Sequence, residues 1–330
     1  VGANGSGKTS ILESLYLLSR GRSFRTSQYQ NLIEQGRDQA MVQAHCQTHA
    51  QAGGIKATLS RLGGKVFHIN LNKAQTSLQL MHFLPLVFID PHNVNIVLAE
   101  PQSRRAFLDG LLFHMEQQYF FCYKEYLRCL RQRNRMLQLA SRSLLADWNE
   151  ALAQRAEEME KQRQSLMTNL LNEVEKILLV FDIAELREIE FSYWKGWQGT
   201  LREALERDLA RDQERGWTSS GCHRADIRMV LRRMPAAHRL SLGQQRMVAL
   251  AFFCAAHRLL MARLRTTIIF MLDDIVASLD HQNMARLMGY LAKQPSQVFV
   301  TATDKAMFDD WTKENAQVFH MERLRDGCDS

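Results

Sequence analysis

The sequence predicts an α/β fold, a mixed sheet interrupted by a helical lobe, and three observations carry that expectation. A glycine-rich loop, Val1-Gly-Ala-Asn-Gly-Ser-Gly-Lys-Thr-Ser10, runs straight into an apolar helical pattern. Ile268-Ile-Phe-Met-Leu272 is a continuous apolar run of strand length, closed by Asp273 and Asp274. Between them, from about residue 92, lies a block of roughly 90 residues whose apolar spacing is helical.

The loop is the most informative stretch. Gly2, Gly7, Lys8 and Thr9 satisfy G-x-x-x-x-G-K-[ST], the phosphate-binding pattern known as Walker A. Glycines at 5 and 7 permit positive φ, so consecutive backbone N–H groups can turn inward as an anion nest. The helix starting near Lys8 adds its positive end beneath the phosphates. Lys8 is a mobile cation within reach of β- and γ-phosphates, and the Thr9 hydroxyl is a hard ligand for Mg²⁺. Gly2, Ala3, Asn4, Gly5, Ser6, Gly7, Lys8, Thr9 and Ser10 are therefore the candidate ATP contacts. Ile11, Leu12, Leu15 and Leu18 continue the loop as an apolar helix face, which a chance glycine-rich turn would not require. Such a loop should follow a buried strand, whereas here it opens the chain at Val1, not a Met. The expectation is a preceding segment that carries the first strand and some adenine contacts.

Composition sets wider bounds. The 330 residues suffice for one large or two medium domains, and 46% hydrophobic content suits a core-forming protein. A net charge of +7 favours a polyanionic partner, though weakly. Six cysteines without a C-x-x-C pair point to a reduced, cytoplasmic protein lacking a structural metal. His45, Cys46 and His49 resemble metal ligands, but alternating polarity there reads better as a half-exposed strand. The longest apolar run, Val248–Ala256, is too short to span a bilayer, so no membrane partner is expected.

In chain order, Gly21-Arg-Ser-Phe-Arg25 reads on its own as a solvated turn. Met41–Cys46, Ile55–Ser60 and Val66–Leu71 read as strands separated by Gly-Gly turns, and Leu86–Asp90 as a short buried strand. These complete a first segment, 1–91. The helical lobe, 92–186, divides by charge: residues 101–145 are basic and 146–190 acidic. Lys124, Arg128, Arg131 and Arg135 fall on one helical stripe, with Tyr123 and Tyr126 beside it. Two readings stand together, a DNA phosphate-contact surface and a solvated face that pairs with the acidic helix following. That helix, Asp147–Val180, would reach about 50 Å. The third segment, 187–330, returns to strands, with Ile227, Met229 and Leu231 on a core face opposite Arg228 and Arg232.

That third segment holds the other half of the candidate site. Leu240-Ser-Leu-Gly-Gln244 matches the L-S-x-G-Q signature of ABC-type ATPases, in which Ser241 caps a helix and Gly243 lets backbone approach an anion. Ser241, Gly243 and Gln244 would meet the γ-phosphate held by a second protomer. The Ile268 strand is then a Walker B: Asp273 should hold Mg²⁺, and Asp274 stands where a Glu usually polarises the attacking water. One carbon–carbon bond shorter, by roughly 1.5 Å, Asp274 implies slow hydrolysis. Ser278-Leu-Asp280 has the spacing of a D-loop, placing Asp280 near the partner's nucleotide, and Thr301 or Thr303 occupies the position of a switch residue. Lys8, Asp273 and Asp274 are the candidate catalytic residues, and Thr9 and Asp273 the metal ligands. The motif order specifies an ABC-type P-loop ATPase head.

With these motifs in place, the chain resembles the RecF family, ATPases of bacterial DNA gap repair related to SMC and Rad50 heads. The resemblance rests on Gly2–Thr9, G-R-S-F-R at Gly21–Arg25, P-x-x-R-R-A-F-L-D at Pro101–Asp109, G-x-H-R-x-D at Gly221–Asp226, Leu240–Gln244 and D-D-x-x-x-S-L-D at Asp273–Asp280. It departs where members carry an acidic pair after Pro91, here His92 and Asn93, and a glycine before Pro101, here Ala99 and Glu100. Ser278 replaces an acidic residue or His. The resemblance implies an ATP-dependent homodimeric clamp, a weak DNA-dependent ATPase that binds single-stranded and gapped DNA. It implies action with RecR and RecO in loading RecA, supporting replication restart and SOS induction.

Three alternatives compete. A transporter ATPase domain has a much shorter separation than the 265 residues between Lys8 and Asp273. A long-armed SMC or Rad50 head needs more helix than about 50 Å. A scaffold that uses ATP only to join two copies, or a related head without significant turnover, stays open because of Asp274 and the substitutions near Pro91.

Overall fold

Each element forms where apolar periodicity and local turn chemistry agree. The computed structural model describes residues 1–3, 5–47, 52–91, 96–97, 99–139, 145–275, 279–304 and 316–321. In chain order the elements are α1 (Lys8–Arg20), β1 (Gln39–Gln47), β2 (Ala52–Ser60), β3 (Gly64–Ile69), β4 (Asn72–Lys73), α2 (Ser77–Phe83) and β5 (Leu86–Ile89). There follow α3 (Pro101–Met115), α4 (Gln117–Gln138), α5 (Leu145–Phe181), β6 (Ile189–Trp194), α6 (Leu201–Arg207), α7 (Leu209–Arg215), β7 (Asp226–Leu231), β8 (Met234–Pro235), α8 (Leu242–Leu264), β9 (Ile269–Leu272), α9 (His281–Leu291) and β10 (Val298–Val300). They divide into two units, residues 1–94 with 256–330, and residues 95–255. Parallel and antiparallel pairings segregate into separate sheets within this α/β architecture.

In the first unit, β1–β4 form an antiparallel sheet in sequence order. Ile55, Ala57 and Leu59 of β2 are at most 1% exposed, while Lys56, Thr58 and Ser60 point the other way, the period-two pattern of a half-buried strand. Leu71, expected within the third strand, lies in the β3–β4 turn and is 96% exposed. The second sheet is parallel, ordered β10-β9-β5, with all four residues of β5 buried. Helix α1 serves both sheets. Leu12 packs with Leu86, Phe88 and Met271, and Leu17 and Leu18 pack with Ile55, Leu59 and Phe67. This double duty rotates the buried arc, so that Ile11 is 43% exposed and Leu17 is buried instead. The Gly21–Arg25 segment is docked rather than free: Phe24 stacks 4.3 Å from Phe88, and Ser23 donates a hydrogen bond to the Glu13 carboxylate.

The second unit is built on the α4–α5 hairpin. Arg133, late in α4, meets Asn149, early in α5, and Cys122 meets Glu158, so the helices run antiparallel. One row of buried residues on α5 (Leu152, Ala156, Met159, Arg163, Leu166, Leu170, Val174, Ile177 and Phe181) recurs in steps of three or four. One member of that seam, Arg163, is charged. Its guanidinium bonds Asp109, the Tyr119 hydroxyl and the Cys222 carbonyl. Arg104 pairs with both oxygens of Asp226, and Arg105 donates to the Ala225 carbonyl at 2.8 Å. The segments Pro101–Asp109 and Gly221–Asp226, far apart in sequence, are thus two sides of one polar junction. His223 lies inside it, with burial, opposed by its bond to the Thr218 carbonyl, lowering its pKa to about 4. Since a carbonyl only accepts, Nε2 donates to Thr218 and Nδ1 accepts from Tyr126 at 2.7 Å. A side chain on Gly221 would place Cβ 2.6 Å from the Tyr126 hydroxyl.

Residues 187–255, grouped by sequence with the ATPase segment, fall within this second unit because β6, β7 and β8 form their own antiparallel sheet, which packs on α3 and α5. The helix expected over Thr200–Arg211 breaks at Asp208 into α6 and α7. Helix α8 alone among the described residues is long and apolar enough to cross a membrane, but 67% of its apolar window is buried inside the protein. Cys46, Cys122, Cys129, Cys222 and Cys254 are free thiols, whereas His49 and Cys328 lie outside the described residues.

The fully buried Arg133–Asp212 pair, 2.8 Å apart, gives a stability test. Asp212→Ala strands a buried cation and should cost about 3–5 kcal/mol. Chemical denaturation monitored by helical circular dichroism should show the loss, and replacing both partners with apolar residues should restore most of it.

Candidate nucleotide site

The glycine-rich loop enters along the parallel sheet: Gly2 N–H donates to the Ala302 carbonyl, just after β10, and Met321 N–H donates to the Val1 carbonyl. Gly5 and Gly7 have φ of +82° and +99°, and Gly7 is the N-cap of α1 without a side-chain cap. A Cβ at Gly5 would meet nothing within 4 Å, so backbone conformation rather than space demands glycine there. Lys8 is 6% exposed and its ammonium donates to the carbonyls of Gly2 (2.5 Å) and Ala3 (3.0 Å). Ser6 is buried, with a hydroxyl that finds no partner among the described residues. Ser10 lies exposed on the first turn of α1, and Asn4 is outside the described residues.

Strand β9 delivers the acidic groups. Leu272 is in register with Ile89 on one side and Val300 on the other, so three strand ends reach the same level. Asp273, 5% exposed, accepts hydrogen bonds on Oδ1 from Thr301 (2.7 Å) and Thr9 (3.2 Å). The same Thr301 hydroxyl accepts from the Asp274 N–H at 3.0 Å. Of the two threonines the sequence left open, Thr301 is the one inside the site, and Thr303 is exposed. Asp274 adopts φ +50°, a left-handed conformation that Asp tolerates better than most side chains. Burial, followed by the charge on Asp273, raises its carboxyl above the ordinary value, with Lys8 acting in the opposite direction. Its buried Oδ1 has no partner among the described residues. The hard oxygens of Thr9 and Asp273 suit Mg²⁺, and this spare acceptor suits a water or a hydrated ion. The donor set fits a magnesium–triphosphate.

The remaining predicted residues are placed as follows. In the second unit, Ser241 and Gln244 form a reciprocal cap on α8: Gln244 N–H donates to the Ser241 hydroxyl, and Ser241 N–H to the Gln244 side chain. Ser241 and Leu242 are exposed, with Leu242 at 64%, while Gly243 is half-buried. The signature is therefore an accessible helix tip, held from behind by Gln245 on the Leu240 and Ala237 carbonyls. In the first unit, Asp280 caps α9, with both oxygens engaged by Asn283. Ser278, His92 and Asn93 lie outside the described residues.

Lys124, Arg128, Arg131 and Arg135 are all exposed along α4. Arg128 pairs with Glu125 of its own helix, and Lys124 lies 4.3 Å over the Phe120 ring. Among the described residues no ion pair joins this stripe to the acidic α5. Sequence reasoning missed the position of Met321, whose side chain lies against Gly2 and Gly7. Nothing in a lone methionine beyond the last strand marks that contact.

The comparisons follow this geometry. A family model described as RecF/RecN/SMC N terminal domain matches residues 1–326. The DNA replication and repair protein RecF of Teredinibacter turnerae is 34% identical over 337 residues, covering 97% of this chain and 87% of that protein. Its namesake from Acinetobacter baumannii strain SDF is 36% identical, covering 92% and 84%. A solved structure of the recombination mediator protein RecF with ATP, in the RecFOR pathway, superposes with a TM-score of 0.79 at 25% identity, over 92% of this chain and 85% of that one. An SMC head bound to the C-winged helix domain of ScpA, 15% identical with a TM-score of 0.53 over 93% of this chain and 81% of that one, shares the fold. The ABC-type ATPase head is the common fold, and the chain belongs to the RecF family of DNA replication and repair proteins.

Proposed function

We propose that this protein is a cytoplasmic, ATP-driven DNA clamp of recombinational gap repair. The observation that carries the reading is the linkage of Thr9, Asp273, Thr301 and Asp274, with Lys8 buried in the loop beside them. Gly2 to Ser10 cradle the triphosphate of ATP, and Thr9 and Asp273 hold Mg²⁺, which when bound neutralises charge on the phosphoryl oxygens. Lys8 exchanges its loop carbonyls for phosphate oxygens. Asp274, with its raised pKa and spare oxygen, positions a water and takes up its proton. Its short side chain keeps hydrolysis slow.

The exposed Ser241–Gln244 tip and Asp280 meet the nucleotide of a second copy, so two heads close on two ATP molecules. ATP fits the RecF–ATP neighbour, and that protein's RecFOR pathway supports RecO and RecR as partners. On this reading the clamp occupies single-stranded and gapped DNA, assists RecA loading, and supports replication restart and SOS induction. Segments 1–91 and 187–330 supply the ATPase motifs, and the helical segment 92–186 supplies the DNA surface. Asp274 favours a second reading, an ATP-bound scaffold without significant turnover. ATP turnover with gapped DNA separates the two: DNA-stimulated hydrolysis supports the clamp, and intact ATP-dependent dimers without stimulation support the scaffold.

Three variants test the parts. Lys8→Arg should bind ATP yet hydrolyse it roughly tenfold more slowly or worse, because a planar guanidinium does not reproduce a compact ammonium; single-turnover kinetics will show this. Ser241→Arg should abolish ATP-induced dimers in sedimentation velocity while nucleotide binding persists. Replacing Lys124, Arg128 and Arg131 together with Gln should weaken DNA binding and reduce the log–log salt slope by about 2–3. Fluorescence anisotropy at several salt concentrations measures that slope.

A further inference from the structure

Beyond the phosphate stripe lies an aromatic feature that ion contacts alone do not explain. Trp217 follows α7 and remains 38% exposed. The Arg224 guanidinium lies 4.4 Å from the ring centroid and that of Arg215 lies 5.4 Å away, both on exposed residues. Arg224 also donates to the Thr218 carbonyl at 3.4 Å, which holds it in place. Asp212 is turned inward to Arg133 and Ser219, and Asp208 to Ser220 and Arg211, which leaves Glu214 as the exposed carboxylate beside Arg215. The cluster therefore presents an exposed indole with two guanidinium groups against its ring.

Its position relative to the stripe is set by α4. Gln138 lies three residues after Arg135 and seven after Arg131, hence on the face of the stripe. Its side-chain amide donates to the Gly216 carbonyl at 3.3 Å, directly before Trp217. Asn134 accepts from both the N–H and the hydroxyl of Thr218, directly after it. The indole is thus anchored at the C-terminal end of the stripe. At the other end Phe121, three residues before Lys124, is 63% exposed. Four cations with an exposed aromatic at each end span about 25 Å along the helix.

We propose that Trp217, with Arg215 and Arg224, is a stacking platform for a base of single-stranded DNA whose phosphates run along the α4 stripe. Duplex bases are already stacked on one another, so a protruding indole layer offers them nothing. Unpaired bases gain by stacking on aromatic rings or guanidinium planes. The charge favours a polyanion, and the aromatic ends select a strand with free bases. This inference rests on the DNA-binding reading above and adds the strand type and the residue that discriminates it.

The test uses the full chain with ATP and Mg²⁺ and three labelled probes: an oligothymidylate of about 20 nucleotides, the same length carrying abasic sites, and a blunt duplex. Trp217→Ala should weaken oligothymidylate binding about tenfold, leaving duplex affinity and the salt slope unchanged. Trp217→Phe should stay within about twofold of the parent. The parent should bind the abasic strand about as weakly as Trp217→Ala binds the intact one. Unchanged strand affinity in Trp217→Ala, or equal losses on strand and duplex, overturns the platform while leaving the DNA reading intact. A parent protein that binds neither strand nor duplex overturns both. Retained ATP binding in each variant shows that the fold has survived.

Discussion

The Asp273 carboxylate is the constraint on which the rest of the candidate site depends. One of its oxygens receives the hydroxyls of Thr9 from the start of α1 and Thr301 from the end of β10. Its own N–H bonds the Ile89 carbonyl at the end of β5. A helix start and three parallel strand ends are therefore tied at one point. The tie works because β9 lies between β5 and β10, with Leu272 level with both neighbours. A one-residue slip in that register would turn Asp273 to the opposite face and undo all of these bonds.

Both halves of the candidate site could be named from the sequence because phosphate loops and strand-end carboxylates demand particular residues at short spacing. Gly5 and Gly7 take the positive φ expected of them, and Lys8 lies buried at the loop on the Gly2 and Ala3 carbonyls. The strand before Asp273 and the cap formed by Ser241 and Gln244 were equally plain. Thr301 could be narrowed only to one of two threonines, because periodicity does not say which hydroxyl faces a carboxylate nearly 30 residues away. Met321 was invisible, since its packing against Gly2 and Gly7 depends on where a distant segment returns.

The fold shows the same division. Local alternation located β1 and β2, and helical spacing located α5. Ile11 and Leu71 were misplaced because tertiary packing decides which apolar side chains stay buried, and neither meets a partner. Segment 187–255 was assigned by its motifs, whereas packing follows the sheet formed by β6, β7 and β8. Most telling is the polar junction of the second unit. Arg104, Arg105 and Asp109 on α3, and Cys222 to Asp226 opposite, read in sequence as two unrelated family elements. Together they form one interlocked set in which a guanidinium occupies an otherwise apolar helix seam. An apolar seam alone would tolerate sliding of α5 by a turn, whereas the Arg163 contacts with Asp109, Tyr119 and Cys222 do not.

The left-handed backbone at Asp274 bears on how this head could have diverged. Asp is among the few side chains that enter that conformation readily. The same turn aims the Asp274 N–H at the Thr301 hydroxyl, which in turn donates to Asp273, so the backbone here is tied to the acidic pair. A lineage that carries this turn inherits its threonine, its two carboxylates and the peptide between them as one linked set.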